Sequence, residues 1–96
     1  MKQKINVVVI EDDEFYNSLL SNAIQQSVNP FLENGRYQLV LRSFTNAVDF
    51  IRKLRSGELK CDNSAVFMDY YLGEGINASH VIKLMTELSG DSMVVL

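Results

Sequence analysis

Residues 5–10 read Ile-Asn-Val-Val-Val-Ile, a nearly continuous apolar run in which every residue but Asn6 is β-branched. Branching at Cβ crowds a helix and suits a pleated backbone. The run does not alternate between apolar and polar. A strand of that kind is covered on both faces, as in a parallel sheet flanked by helices, and not in a hairpin sheet with one wet face. This one stretch therefore asks for helices on both sides of a sheet.

The rest of the chain supplies them. Asp13 is a plausible N-cap for a helix in which Phe15, Leu19, Ala23 and Ile24, with Leu20 and Val28 beside them, recur at helical spacing and are expected to face the core. Asn29-Pro30 is expected to stop that helix, because a residue before proline is driven out of the helical region. Residues 31–36, with Asn34-Gly35, read as a turn-like connection. Tyr37–Phe44 reads as a second strand, and Arg42 within it suggests a sheet edge. Thr45 or Asn46 can cap a second helix with Ala47, Phe50, Ile51 and Leu54 as its apolar stripe and Gly57 at its C-terminal end. Residues 58–63 form a polar loop, and residues 65–68 a third strand. Asn77 or Ser79 can start a third helix, with Ala78, Val81, Ile82, Met85 and Leu88 inward. Ser89-Gly90-Asp91 reads as a turn, and residues 92–96 as a fourth apolar strand. Alternation in the order β-α-β-α-β-α-β predicts an α/β fold, a parallel sheet with crossover helices, in a single domain spanning residues 1–96.

The totals narrow the function. A chain of 96 residues suits one small domain. Nine Lys and Arg against twelve Asp and Glu give a net charge of −3, which offers no electrostatic footprint for direct nucleic-acid binding. No apolar run approaches the ~20 residues that span a bilayer, and the N-terminus lacks a signal-peptide pattern. The lone Cys61 cannot form an internal disulfide, so a cytoplasmic setting is expected.

The chemistry lies at strand ends. Residues 64–75, Ser-Ala-Val-Phe-Met-Asp-Tyr-Tyr-Leu-Gly-Glu-Gly, read as a buried strand that delivers Asp69 to its C-terminal edge, followed by a glycine-bearing loop. The first strand ends in the same way at Glu11-Asp12-Asp13. In open α/β sheets ligands sit outside the carboxyl ends of the strands, near the point where strand order reverses. Glu11, Asp12 and Asp69 gathered there would repel one another unless a cation intervenes. Mg²⁺ suits such a site, since it takes a few carboxylates, keeps waters and fills its shell with phosphate oxygens. Asp13 and Glu14 fit the first helical turn better, where the dipole favours them.

The motif Val-Val-Val-Ile-Glu-Asp-Asp-Glu after the first strand and Val-Phe-Met-Asp-Tyr-Tyr-Leu-Gly-Glu-Gly-Ile-Asn-Ala at the third, at this separation, resemble the receiver domain of two-component response regulators. The resemblance covers about residues 4–96. It implies a flavodoxin-like fold with strand order 2-1-3-4-5. It implies that Asp69 is the phosphoacceptor for a phosphoryl group from a sensor histidine kinase or phosphotransfer protein, that Glu11, Asp12 and Asp69 hold Mg²⁺ together with the backbone carbonyl of Tyr71, and that phosphorylation switches a surface read by an output domain or effector protein. Such a domain is not an enzyme beyond assisting its own phosphorylation and dephosphorylation. Gly73 stands where the family usually has proline, and the following loop is one residue longer. The family's Ser or Thr after the fourth strand, its Lys at the end of the fifth, and its fourth helix, fifth strand and fifth helix have no counterpart here. The chain is therefore expected to be a receiver domain cut short, impaired in phosphorylation and prone to self-association through its fourth strand or a bared sheet face.

Other readings weigh less. The same fold without phosphorylation could serve as a protein-interaction module. Gly73-Glu74-Gly75-Ile76-Asn77-Ala78 fits a dinucleotide-binding outline, with Asp91 downstream, but Asp91 precedes the next strand where a ribose-binding acid should end it. A phosphatase built on Asp69 would want an acid two residues on, where Tyr71 stands. His80 reads as an exposed helix residue, Cys61 as an incidental loop residue, and Tyr70 as a packing residue or a gate.

Overall fold

The computed structural model describes residues 2–73, 75–88 and 92–96. Among them the elements run β1 (Gln3–Ile10), α1 (Glu14–Leu32), β2 (Tyr37–Phe44), α2 (Ala47–Ser56), β3 (Ser64–Met68), α3 (Ala78–Leu88) and β4 (Ser92–Val95). The strands form one parallel sheet in the order β2-β1-β3-β4. The protein is α/β, and its strand order matches the first four places of the flavodoxin-like order. The expected turn at residues 89–91 lies outside the described residues.

β1 is central, and its lack of alternation now has a cause. Val7, Val8, Val9 and Ile10 are all buried. Val8 and Ile10 join the core formed with Phe50, Leu54, Val66, Met68, Val81 and Met85 from α2, β3 and α3. Val7 and Val9 point the other way, as alternate residues of a strand must, toward the face that carries α1. β1 also begins earlier than residue 5, because Gln3 and Lys4 pair in register with Tyr37 and Gln38.

Caps define the shorter helices. The Asn46 side chain accepts from the Val48 N–H at 2.7 Å, so Asn46 and not Thr45 caps α2. Gly57, at φ +82°, closes α2 by donating its N–H to the Leu54 carbonyl. The Asn77 side chain accepts from the His80 N–H at 3.2 Å, which makes Asn77, not Ser79, the start of α3. Phe50 is fully buried with its ring edge-on to Phe44 at 5.4 Å.

α1 departs from expectation twice. It does not stop at Asn29-Pro30 but runs through Pro30 to Leu32. Pro30 sits in the last turn and is exposed, so the one carbonyl it leaves without an N–H partner can turn to water. The chain turns just afterwards, where the Asn34 side chain accepts from the Arg36 N–H and Gly35 takes φ +75°. The inward face is also rotated. Phe15, Leu19 and Ala23 are exposed, while Asn17 is buried and Leu20, Ile24 and Val28 are half-buried. The cause is Asn17, whose amide donates to the Glu11 carbonyl at 3.2 Å and to the Phe44 carbonyl at 3.0 Å. It ties the C-terminal ends of β1 and β2 to the helix. With Asn17 turned in, residues two places away lie about 200° round the helix and face out. Leu88, expected inward, is half exposed, as are Met93 and Val95 of β4.

Candidate functional site

Register builds the site. Ile10 lies opposite Met68 in the parallel pair β1–β3, and the Asp69 N–H reaches the Ile10 carbonyl at 3.4 Å. Glu11 and Asp69 are thus the next residues past two aligned strand ends. Carboxylate oxygens of Glu11, Asp12 and Asp69 lie within 4.8 Å of one another, with Glu11 half-buried and the two aspartates exposed. The three residues singled out from two distant segments converge as expected.

Two of the three are held by nearby backbone N–H groups. Glu11 Oε1 accepts from the Asp13 N–H at 3.1 Å, and Asp69 Oδ1 accepts from the Tyr70 N–H at 2.8 Å. Burial raises the Glu11 carboxyl above its ordinary value of 4.5; the Asp13 N–H pulls against that rise, and the neighbouring Asp12 and Asp69 side chains add to it. All the donors are hard oxygens and their charges repel. That donor set fits a divalent cation such as Mg²⁺.

The β3–α3 loop closes over Asp12. Gly73 takes φ +82°, and a Cβ there would stand 3.4 Å from Asp12 Oδ2. Proline, fixed near −65°, could not occupy this position in this conformation. The loop is braced by three backbone bonds, from Leu72 N–H to Ile76 O, Ile76 N–H to Gly73 O and Ala78 N–H to Tyr70 O, and by the buried Leu72 side chain. Tyr71 faces Asn77 in an isolated antiparallel bridge whose hydrogen bonds are carried by its neighbours, so the Tyr71 carbonyl takes no part in them. Beside the cluster a cavity of about 150 Å³ is lined by Asp12, Thr45, Asn46, Leu72, Gly73 and Ile76, among others.

The remaining candidates separate from the site. Asp13 is the N-cap of α1, accepting from the Phe15 and Tyr16 N–H groups at 2.9 and 3.1 Å. His80 Nδ1 accepts from the Asn77 N–H at 3.4 Å and belongs to the start of α3. Cys61 lies in the loop as expected but is fully buried against the core, and burial pushes its thiol up to about 11. The rings of Tyr70 and Tyr71 meet edge-on at 4.9 Å and are both exposed. The residue that sequence reasoning missed is Asn17. Its signal was present: at positions 17, 20, 24 and 28 it completes a helical face of otherwise apolar residues.

No family model, no curated protein and no solved structure matches this chain. Among the described residues, no helix is long and apolar enough to cross a membrane.

Proposed function

We propose that the protein is a phosphoacceptor domain of the response-regulator receiver type, with Asp69 as the acceptor. The observation that carries this reading is the convergence of Glu11, Asp12 and Asp69 within 4.8 Å at the carboxyl edge of the parallel sheet, where the strand order reverses. Glu11, Asp12 and Asp69, with the Tyr71 carbonyl, would hold Mg²⁺, which when bound supplies neutralising charge for phosphoryl oxygens. Asp69 is exposed and needs no general base at neutral pH. One oxygen is oriented by the Tyr70 N–H; the other is left to attack. As it attacks a phosphohistidine, the new P–O bond forms while the P–N bond breaks, and the departing imidazole takes up a proton. The donor is a histidine kinase or phosphotransfer protein in the cytoplasm, and the readout is an output domain or effector protein that senses the changed surface.

The direct test is incubation with a small acyl phosphate and Mg²⁺, followed by intact-mass measurement. Slow or partial gain of one phosphoryl group, lost in Asp69→Asn and on chelation of the metal, is the expected result. No gain in the wild-type protein, or equal gain in Asp69→Asn, removes Asp69 as acceptor. Mg²⁺ binding without phosphoryl gain leaves an interaction module on the same fold.

A further inference from the structure

At the opposite end of the sheet a groove of about 360 Å³ opens beneath the connection from α2 to β3. Its floor is set by strand register. Val40, Asn6 and Ser64 stand side by side on β2, β1 and β3, with Arg42 beside Val8 in the next row on the same face. Residues 57–60 form its wall, and Leu59 is buried there. Asn6 is five residues before Glu11, which along a strand is roughly 15 Å, so the groove and the acidic cluster do not overlap.

Its charge is opposite to that of the chain. Lys4, Arg42 and Lys60 line it, against Glu58 alone, in a protein of net charge −3. Among the described residues none of these cationic side chains is in an ion pair or hydrogen bond; the ion pair found joins Arg52 to Asp49. Three unpaired cations around one concavity focus a positive potential into it. Half-buried Val40 offers apolar surface, and Asn6 and Ser64 offer an amide and a hydroxyl. The volume falls at the small end of the range for ligand sites, roughly 300–1,000 Å³.

We propose that this groove binds a small organic anion, its carboxylate or phosphate group held by Arg42 and Lys60 with Lys4 alongside, and its apolar body against Val40. A planar guanidinium takes either group in a forked pair of hydrogen bonds. The site stands on its own residues and does not depend on phosphorylation of Asp69.

The test is an amide NMR titration of the full chain in buffer stripped of metal on a chelating resin, so that no metal can recruit an anion to the acidic edge and no dissolved chelator competes for the groove. The probes are phenyl phosphate, benzoate, inorganic phosphate and the neutral benzyl alcohol. Saturable shifts centred on Asn6, Leu59, Lys60 and Ser64 with phenyl phosphate or benzoate, and none with benzyl alcohol, are expected; which of the two anions binds tighter identifies the preferred group. Arg42→Gln combined with Lys60→Gln should weaken binding about tenfold or more, while Lys60→Arg retains it. These side chains are exposed, and unchanged shifts elsewhere in the free variant establish that it folds. Shifts that fail to saturate below about 10 mM, or that survive the double substitution, overturn the site. Inorganic phosphate binding as tightly as phenyl phosphate overturns the apolar component.

Discussion

Glu11 is held in a place that its charge disfavours. Burial and the two facing aspartates raise its carboxyl above 4.5 in the folded protein. The folded state therefore binds the proton more tightly than the unfolded chain does. Stability from this residue is fully present below pH 4.5 and is lost as pH rises through the raised folded value. Near neutral pH in metal-free buffer, Glu11→Gln should melt at a higher temperature than the wild type, and the gap should close below pH 4.5. Added Mg²⁺ should reverse the order, stabilising the wild type more than the variant. A variant that melts lower than wild type in chelator at neutral pH would show that repulsion at the cluster is not what raises Glu11. This acidic triad was legible in the chain, because carboxylates directly after strand-length apolar runs mark a strand's end. Their approach to 4.8 Å was not, because it depends on the register of β1 against β3.

Among the elements, α1 shows how one polar side chain overrides an apolar stripe. Phe15 and Leu19 carry more apolar surface than Asn17, which is turned in beside Leu20, Ile24 and Val28. Yet the Glu11 carbonyl takes its donor from Asn17, whose amide also gives a second donor to the Phe44 carbonyl already paired with the Glu11 N–H at 3.0 Å. Leaving buried carbonyls unpaired costs about 1–3 kcal/mol. Asn17→Leu removes both bonds and should destabilise the protein by about that amount in urea unfolding. Because the Glu11 carbonyl is one of the two acceptors, the same variant should also weaken Mg²⁺ binding. A variant as stable as wild type would mean that water replaces the amide at no cost. Phe15 and Tyr16 pack edge-on to each other at 5.6 Å in the meantime, a local arrangement that leaves both mostly exposed.

On the scale of the molecule, one face of the sheet is only half covered among the described residues. α1 packs against β1 and β2. On that same face, aligned with Val7 and Val9, stand Ala65 and Phe67 of β3 and Met93 and Val95 of β4. Tyr16, Leu19 and Ala23 of α1 are exposed. α1 has one charged residue, Glu14, in 19, and neither β3 nor β4 has any. An apolar shelf without charge meets no repulsion from its own copy across a two-fold axis. We accordingly expect self-association at micromolar concentration, relieved by Leu19→Lys together with Met93→Lys. Light scattering that shows a monomer for both proteins would dismiss it.

The succession of strands and helices, the central place of β1 and the location of three carboxylates at strand ends all follow from residue type and spacing, because β-branching and helical periodicity act over a few neighbours. Which side of α1 turns inward, that Pro30 is tolerated, that Cys61 is buried and that a cationic groove lies beneath residues 57–60 follow instead from pairing across the sheet. Those outcomes depend on which carbonyls, faces and side chains meet from segments far apart in the chain, and short-range spacing alone does not choose among the faces it allows.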